Sequence, residues 1–169
     1  MTGTGALLQR GMQMRSRCRM FSLVLLLLLA GAAADPAGTS AAEEAARKIR
    51  LQSGSAQPAV LTVEVVSDAK KRQRGLAQRP PIPEDAGMLF LLEDNSAQFF
   101  WMKGMEFPLD ILFFDKDRKL LEILPDLTPC EQCPKYKAPA NTAYVLEINA
   151  GLAGDLGLKE GDSFVFENK

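Results

Sequence analysis

From residue 60 onward, short apolar runs alternate with polar positions and with clusters of Pro, Gly, Asp and Asn that mark turns. This pattern is typical of β-strands. Strands are predicted over 60–66, 87–92, 98–103, 109–115, 119–124, 142–149 and 163–167. Short helices are predicted over 67–76 and 153–158. Many closely spaced strands with little helix predict a mainly β fold: a compact single-domain β-sandwich or small barrel with one or two short helices.

The first 34 residues have the pattern of a secretory signal peptide. Four arginines and no acidic residue precede an apolar run that begins at Phe21, and small residues follow up to Ala34. This apolar stretch is too short to span a bilayer, which takes about 20 residues. We therefore expect a cleaved signal over 1–34, with an uncleaved anchor as the alternative. The mature chain would have no membrane span and would be exported, to the periplasm or outside the cell.

Residues 35–59 are rich in Ala, Gly, Ser, Pro and Gln, with little apolar surface to bury. This composition is typical of a flexible tether. The predicted organisation is thus a signal peptide over 1–34, a tether over 35–59 and a β-rich domain over 60–169.

Composition excludes several kinds of chemistry. The chain contains no His, which removes His-ligated metal sites and nucleophiles activated by imidazole. Lys and Arg number 20 against 21 Asp and Glu, for a net charge of −1, and the folded part has no basic block. This balance argues against binding to nucleic acid. No cofactor and no metal site are predicted.

Two acidic residues, Asp110 and Glu147, interrupt apolar strands. The strand that begins near Asp110 is apolar on both faces, so we expect it to be covered on both sides. An unpaired charge in such an interior is costly, which predicts a basic partner for each acid. Candidate partners are Arg79, Lys103 and Arg74. Arg79 is preferred because its guanidinium fork can bridge two carboxylates.

This polar cluster has three interpretations. It is an ion-pair staple that holds loop 77–84 against the sheet, or a polar patch at the mouth of a ligand pocket, or a catalytic carboxylate pair. The last requires two carboxyl groups about 5–9.5 Å apart, as in glycosidases. In the binding interpretation Arg79 and Lys103 hold an anionic group, while Trp101 supplies an apolar wall.

The cysteines Cys130 and Cys133 form a CxxC motif followed directly by Pro134. A redox CxxC normally begins a helix, and the residues after Pro134 have no helical apolar spacing. A structural zinc site needs four ligands, which this sequence does not supply. A local structural disulfide is predicted, in keeping with export. Redox activity and metal binding are the alternatives.

Six ordered motifs resemble the domain of unknown function 192 family. They are QRGLAQR at 73–79, GMLF at 87–90, FWMK at 100–103, PLDI at 108–111, YVLE at 144–147 and GLKEGD at 157–162. The resemblance covers residues 61–166 and implies a compact β-rich domain, often exported or tethered outside the cytoplasm, without an established activity. Two departures stand out: Gly104–Met105 replaces the family's usual Asn-Thr, and Ala77 stands where a bulkier apolar residue is common.

The predicted function is that of an exported binding or accessory module rather than an enzyme. Its partner would be a small polar or anionic molecule, or an envelope protein. The candidate ligand-binding residues are Arg79, Trp101, Lys103, Asp110 and Glu147. The alternatives are a carboxylate-dependent hydrolase acting on envelope glycans and a structural partner of an envelope protein complex.

Overall fold

The computed structural model describes residues 46–54, 58–92 and 98–168. Within these ranges the chain forms nine strands and two short helices. The strands are β1 (Ala46–Gln52), β2 (Ala59–Val66), β3 (Ala86–Leu91), β4 (Phe99–Phe100), β5 (Leu109–Phe114), β6 (Leu120–Leu127), β7 (Tyr136–Lys137), β8 (Tyr144–Asn149) and β9 (Ser163–Phe166). The helices are α1 (Ala69–Arg74) and α2 (Leu152–Asp155). The predicted mainly β fold is confirmed.

Seven of these strands form one sheet in the order β6-β5-β8-β3-β2-β1-β9, and β4 pairs with β7 in a small second sheet. Neighbours in the large sheet are antiparallel except β2 and β3, which are parallel. The sheet curls so that its two ends meet. Lys119, just before β6, forms a bridge with Ser163 of β9, and the N–H of Leu120 donates to the carbonyl of Asp162 at 2.8 Å.

An apolar cluster packs on each face of the sheet. Leu112 and Ile148 belong to one cluster, and Ile111 and Val145 to the other. Successive side chains of a strand point to opposite faces, so β5 contributes to both clusters. All six residues of β5 are buried, which confirms that this strand is covered on both sides.

The domain begins earlier than predicted. β1 pairs with both β2 and β9, and its Ile49 and Leu51 are buried. The prediction of a tether over 35–59 is therefore wrong over β1. These two apolar residues alternate with charged ones, which is a strand pattern, but the surrounding polar composition obscures it. The predicted signal peptide over 1–34 lies outside the described residues.

Helix α1 and the segment after it connect the parallel strands β2 and β3. The Asp68 side chain caps the helix by accepting a hydrogen bond from the N–H of Lys71 at 3.0 Å. Gly75 ends the helix with a φ of 54°. A parallel pair cannot be joined by a tight turn, so this connection has to cross one face of the sheet. In the described ranges, neither helix is long and apolar enough to cross a membrane.

Candidate functional site

Glu147 is the most unusual polar residue on the sheet. On β8 it lies between its cross-strand partners, Met88 of β3 and Ile111 of β5, and only 8% of it is exposed. Its Oε2 atom has no hydrogen-bond partner among the described residues. Burial raises the pKa of Glu147 to about 7, and the backbone N–H of Leu76 acts in the opposite direction. Below pH 7 this group is therefore mainly an uncharged carboxylic acid.

The segment that follows α1 covers the Glu147 carboxyl group. A Cβ atom added at Gly75 would lie 3.3 Å from Oε2 of Glu147 and 3.5 Å from the Phe90 ring. The positive φ of Gly75 is also one that side-chain-bearing residues rarely adopt. Glycine at this position thus permits both the turn and the close approach.

A cavity of about 410 Å³ opens beside Glu147. Aromatic side chains form much of its wall, and the Phe100 ring lies 6.3 Å from the Phe90 ring, centroid to centroid. Trp101 is half-buried and also lines the cavity. The cavity therefore combines a buried carboxyl group with an aromatic surface.

Four basic side chains line the same cavity. Arg72 and Arg74 come from α1, Lys103 follows β4 and Lys135 precedes β7. Arg72 already donates a hydrogen bond to the carbonyl of Leu91 at 3.0 Å. The other three are exposed, and none of them has an ion-pair partner within residues 46–54, 58–92 and 98–168. An anion in the cavity could therefore contact unpaired basic side chains from α1 and from the segments next to β4 and β7.

A second cavity of about 510 Å³ shares Gly75 with the first, since this residue lines both. There Nη1 of Arg79 forms an ion pair with Oε2 of Glu64 at 2.7 Å. Both side chains are more than a third exposed. Arg79 therefore does hold its loop to the sheet, as a staple would, but through Glu64 of β2 rather than through the predicted acids.

Asp110 lies on the opposite face of the sheet from Glu147. Asp110 pairs with Ile148, and Ile111 pairs with Glu147, so the two carboxyl groups point to different sides. The Asp110 carboxylate accepts hydrogen bonds from three backbone N–H groups, and no basic side chain of the described residues forms an ion pair with it. The donors are Asp126 at 2.9 Å, Gly151 at 3.0 Å and Ala153 at 2.9 Å.

The predicted cluster is therefore wrong as a single unit. Trp101, Lys103 and Glu147 line one cavity, Arg79 lines the other, and Asp110 belongs to neither. The catalytic pair of Asp110 and Glu147 is also wrong, because a substrate cannot contact both faces of a sheet at once. Sequence reasoning missed Glu64, Arg72 and Lys135. Of these, only Glu64 had a signal, as an acid within an apolar strand.

Two solved structures have the same fold as this chain. A Sinorhizobium meliloti protein, provisionally described as a transcription regulator, is 33% identical, with a TM-score of 0.69 over 73% of this chain and 95% of that one. A Novosphingobium aromaticivorans protein of unknown function is 31% identical, with a TM-score of 0.66 over 70% of this chain and 83% of that one. No curated protein matches the sequence.

The sequence profile of one family, described as Uncharacterized ACR, matches residues 49–166. The chain belongs to the domain of unknown function 192 family. In this family member the two departures noted in the sequence are neighbours in space. A Cβ atom at Gly104 would lie 3.7 Å from Cβ of Ala77, and Ala77 lines both cavities. Two small residues therefore meet beside the two cavities.

The predicted disulfide of this domain of unknown function 192 protein is present, between Cys130 and Cys133. Cys130 forms a bridge with Lys103, and Lys135 follows Cys133 by two residues. The disulfide therefore lies between two of the basic residues of the Glu147 cavity. In the part of the chain that the structure describes, no group of three or more Cys, Asp or Glu residues is placed to hold a metal ion.

Proposed function

We propose that this protein is a binding module for a small organic anion, which it holds in the cavity beside Glu147. The observation that carries the proposal is the composition of that cavity: unpaired basic side chains at its exposed edge, an aromatic wall and a buried carboxyl group. Cavities of about 300–1,000 Å³ that combine apolar walls with a few polar groups are typical of small-molecule sites.

The basic residues have distinct roles in this proposal. Arg74 can bind a carboxylate or phosphate through two parallel hydrogen bonds, whereas Lys103 and Lys135 act as point charges. Because Arg72 is held by the carbonyl of Leu91, it contributes charge more than direct contacts. Trp101 and Phe100 would pack against the apolar or planar part of the ligand.

We also propose that the protein acts outside the cytoplasm. The signal-like pattern of residues 1–34 supports this location, and a disulfide persists best in an oxidising compartment. Mass spectrometry of the protein recovered from the cell exterior or the periplasm tests both the location and the removal of the signal. Loss of residues 1–34 is expected, and an intact chain confined to the cytoplasm would contradict the proposal.

Binding is tested by calorimetry of the purified protein with short carboxylic and phosphorylated acids. We expect one class of acid to bind. The double variant Arg74→Gln, Lys103→Gln should bind that acid at least tenfold more weakly than the wild type. Lys116→Gln is the control, because it removes one exposed positive charge from the turn between β5 and β6, outside the cavity lining. Equal losses in both variants, or no binding of any acid, would contradict an anion site and leave the envelope-protein partner as the hypothesis to test.

A further inference from the structure

We propose that the ligand of the Glu147 cavity is a small organic acid that carries a second hydrogen-bond acceptor, such as a carbonyl oxygen, at the end it inserts toward Glu147. This inference rests on the proposed anion-binding function and names the class of ligand: oxo acids and dicarboxylic acids. The acid group of the ligand lies among the basic residues, and the second oxygen meets the Glu147 carboxylic acid.

The geometry around Glu147 supports an acceptor at this position. Its Oε2 atom is buried without a hydrogen-bond partner among the described residues, and the Glu147 residue lines the cavity. No Lys or Arg in the described ranges lies within ion-pair distance of it. A buried carboxyl group without a cation is stable as the neutral acid, which has one O–H to donate. A ligand oxygen would complete that hydrogen bond.

The charged side chains that line the cavity around Glu147 are basic, which favours an anionic ligand. Arg72 and Arg74 of α1 line the cavity, as do Lys103, after β4, and Lys135, before β7. On the sheet itself the neighbours Met88 and Ile111 are neutral. Glu64 occupies the same face two strands away, on β2, where it is paired with Arg79.

Binding should therefore be coupled to a proton. An anion that enters the cavity disfavours the ionised form of Glu147, so the bound state keeps the proton to a higher pH than the free state does. Above neutral pH, binding then takes up a proton, and affinity falls by up to about tenfold for each pH unit. An ammonium group at the inner end would have the opposite effect, because it stabilises the carboxylate and releases a proton.

Three matched probes separate these possibilities: pentanoate, 4-oxopentanoate and 5-aminopentanoate. Titration calorimetry at pH 7.5, in two buffers of different ionisation enthalpy, gives both affinity and protons exchanged. We expect 4-oxopentanoate to bind about tenfold more tightly than pentanoate, the difference one good hydrogen bond makes, and to take up a proton. Tighter binding of 5-aminopentanoate with proton release, or equal binding of all three, would overturn the inference.

Two variants at Glu147 complete the test. Glu147→Gln keeps a donor without a titrating group, so it should still prefer 4-oxopentanoate and should exchange no proton. Glu147→Leu has no donor and should bind 4-oxopentanoate and pentanoate equally. A preference that survives in Glu147→Leu would refute the role of Glu147. If all three probes fail across pH 5–8 while a phosphorylated acid binds, this inference is overturned and the anion site stands; if no acid binds, the anion site itself is refuted, which distinguishes the two proposals.

Discussion

Gly75 packs directly against the carboxyl group of Glu147: the glycine leaves so little space that an added Cβ atom would lie only 3.3 Å from Oε2 of Glu147. The segment that ends α1 therefore covers one side of a buried carboxyl group whose residue also lines the cavity. This arrangement excludes bulk water from most of Glu147 and accounts for the raised pKa of its carboxyl group.

Gly75→Ala should destabilise the protein by about 1–3 kcal/mol, because a side chain would have to adopt a positive φ and press on the carboxyl group. Urea unfolding measures the loss. Gly154→Ala in α2 is the control, since its added Cβ has no atom within 4 Å, and it should leave stability unchanged or raise it slightly. Equal effects of the two substitutions on the free energy of unfolding would show that the close approach of Gly75 to Glu147 does not contribute to stability.

The raised pKa of Glu147 predicts a specific pH dependence of stability. Its folded-state pKa of about 7 exceeds the ordinary value of 4.5, so between these values the folded chain holds a proton that the unfolded chain has lost. The stabilisation from the protonated acid is full below pH 4.5 and is lost as pH rises through 7. The total loss is about 3 kcal/mol.

Urea unfolding of the wild type and of Glu147→Gln, at pH values from 4 to 8.5, isolates this contribution. Other acids titrate equally in both proteins, so the difference between the two stability curves reports Glu147. That difference should fall steadily from pH 4.5 to 7 and then level off. A difference independent of pH would mean that Glu147 titrates alike in the folded and unfolded chains.

Asp110→Ala should lower the free energy of unfolding by about 3 kcal/mol or more, because it leaves three backbone N–H groups without their acceptor. Asp110→Asn keeps one acceptor oxygen and should lose less. Chemical denaturation measures both. If Asp110→Ala melts like the wild type, these three hydrogen bonds contribute nothing to stability.

The burial of Asp110 and Glu147 could be predicted from sequence, because each interrupts a strand of apolar residues, and the structure confirms it. Their partners could not. Side chains alternate along a strand, so the sequence shows which residues of one strand share a face. Which residues of two neighbouring strands lie on the same face of the sheet depends on their pairing register, which the sequence does not show. Here Ile111, not Asp110, is opposite Glu147, which places the two acids on different faces.

The sequence also favoured basic partners over the backbone. A carboxylate can be satisfied by backbone N–H groups. Two of the donors to Asp110 are Asp126, near the irregular end of β6, and Gly151, just before α2, and both have positive φ. Because almost every residue has a backbone N–H group, the residue types around an acid do not reveal that such groups are its partners. Lys135 was missed for a related reason, since only the tertiary fold brings β7 next to α1 at the cavity.

Reduction of the disulfide should lower stability and weaken anion binding together. Closing the short loop between Cys130 and Cys133 contributes about 2 kcal/mol, which corresponds to roughly 5–10 °C in Tm for a domain of this size. The bond also restrains the backbone that bridges Cys130 to Lys103 and leads to Lys135. Thermal melts with and without dithiothreitol test the first effect, and calorimetry with the bound acid tests the second.

The Cys130→Ser, Cys133→Ser double variant should resemble the reduced protein, and dithiothreitol should not change its stability or its binding. If it binds the acid as tightly as the oxidised wild type, the disulfide stabilises the loop without positioning the two lysines.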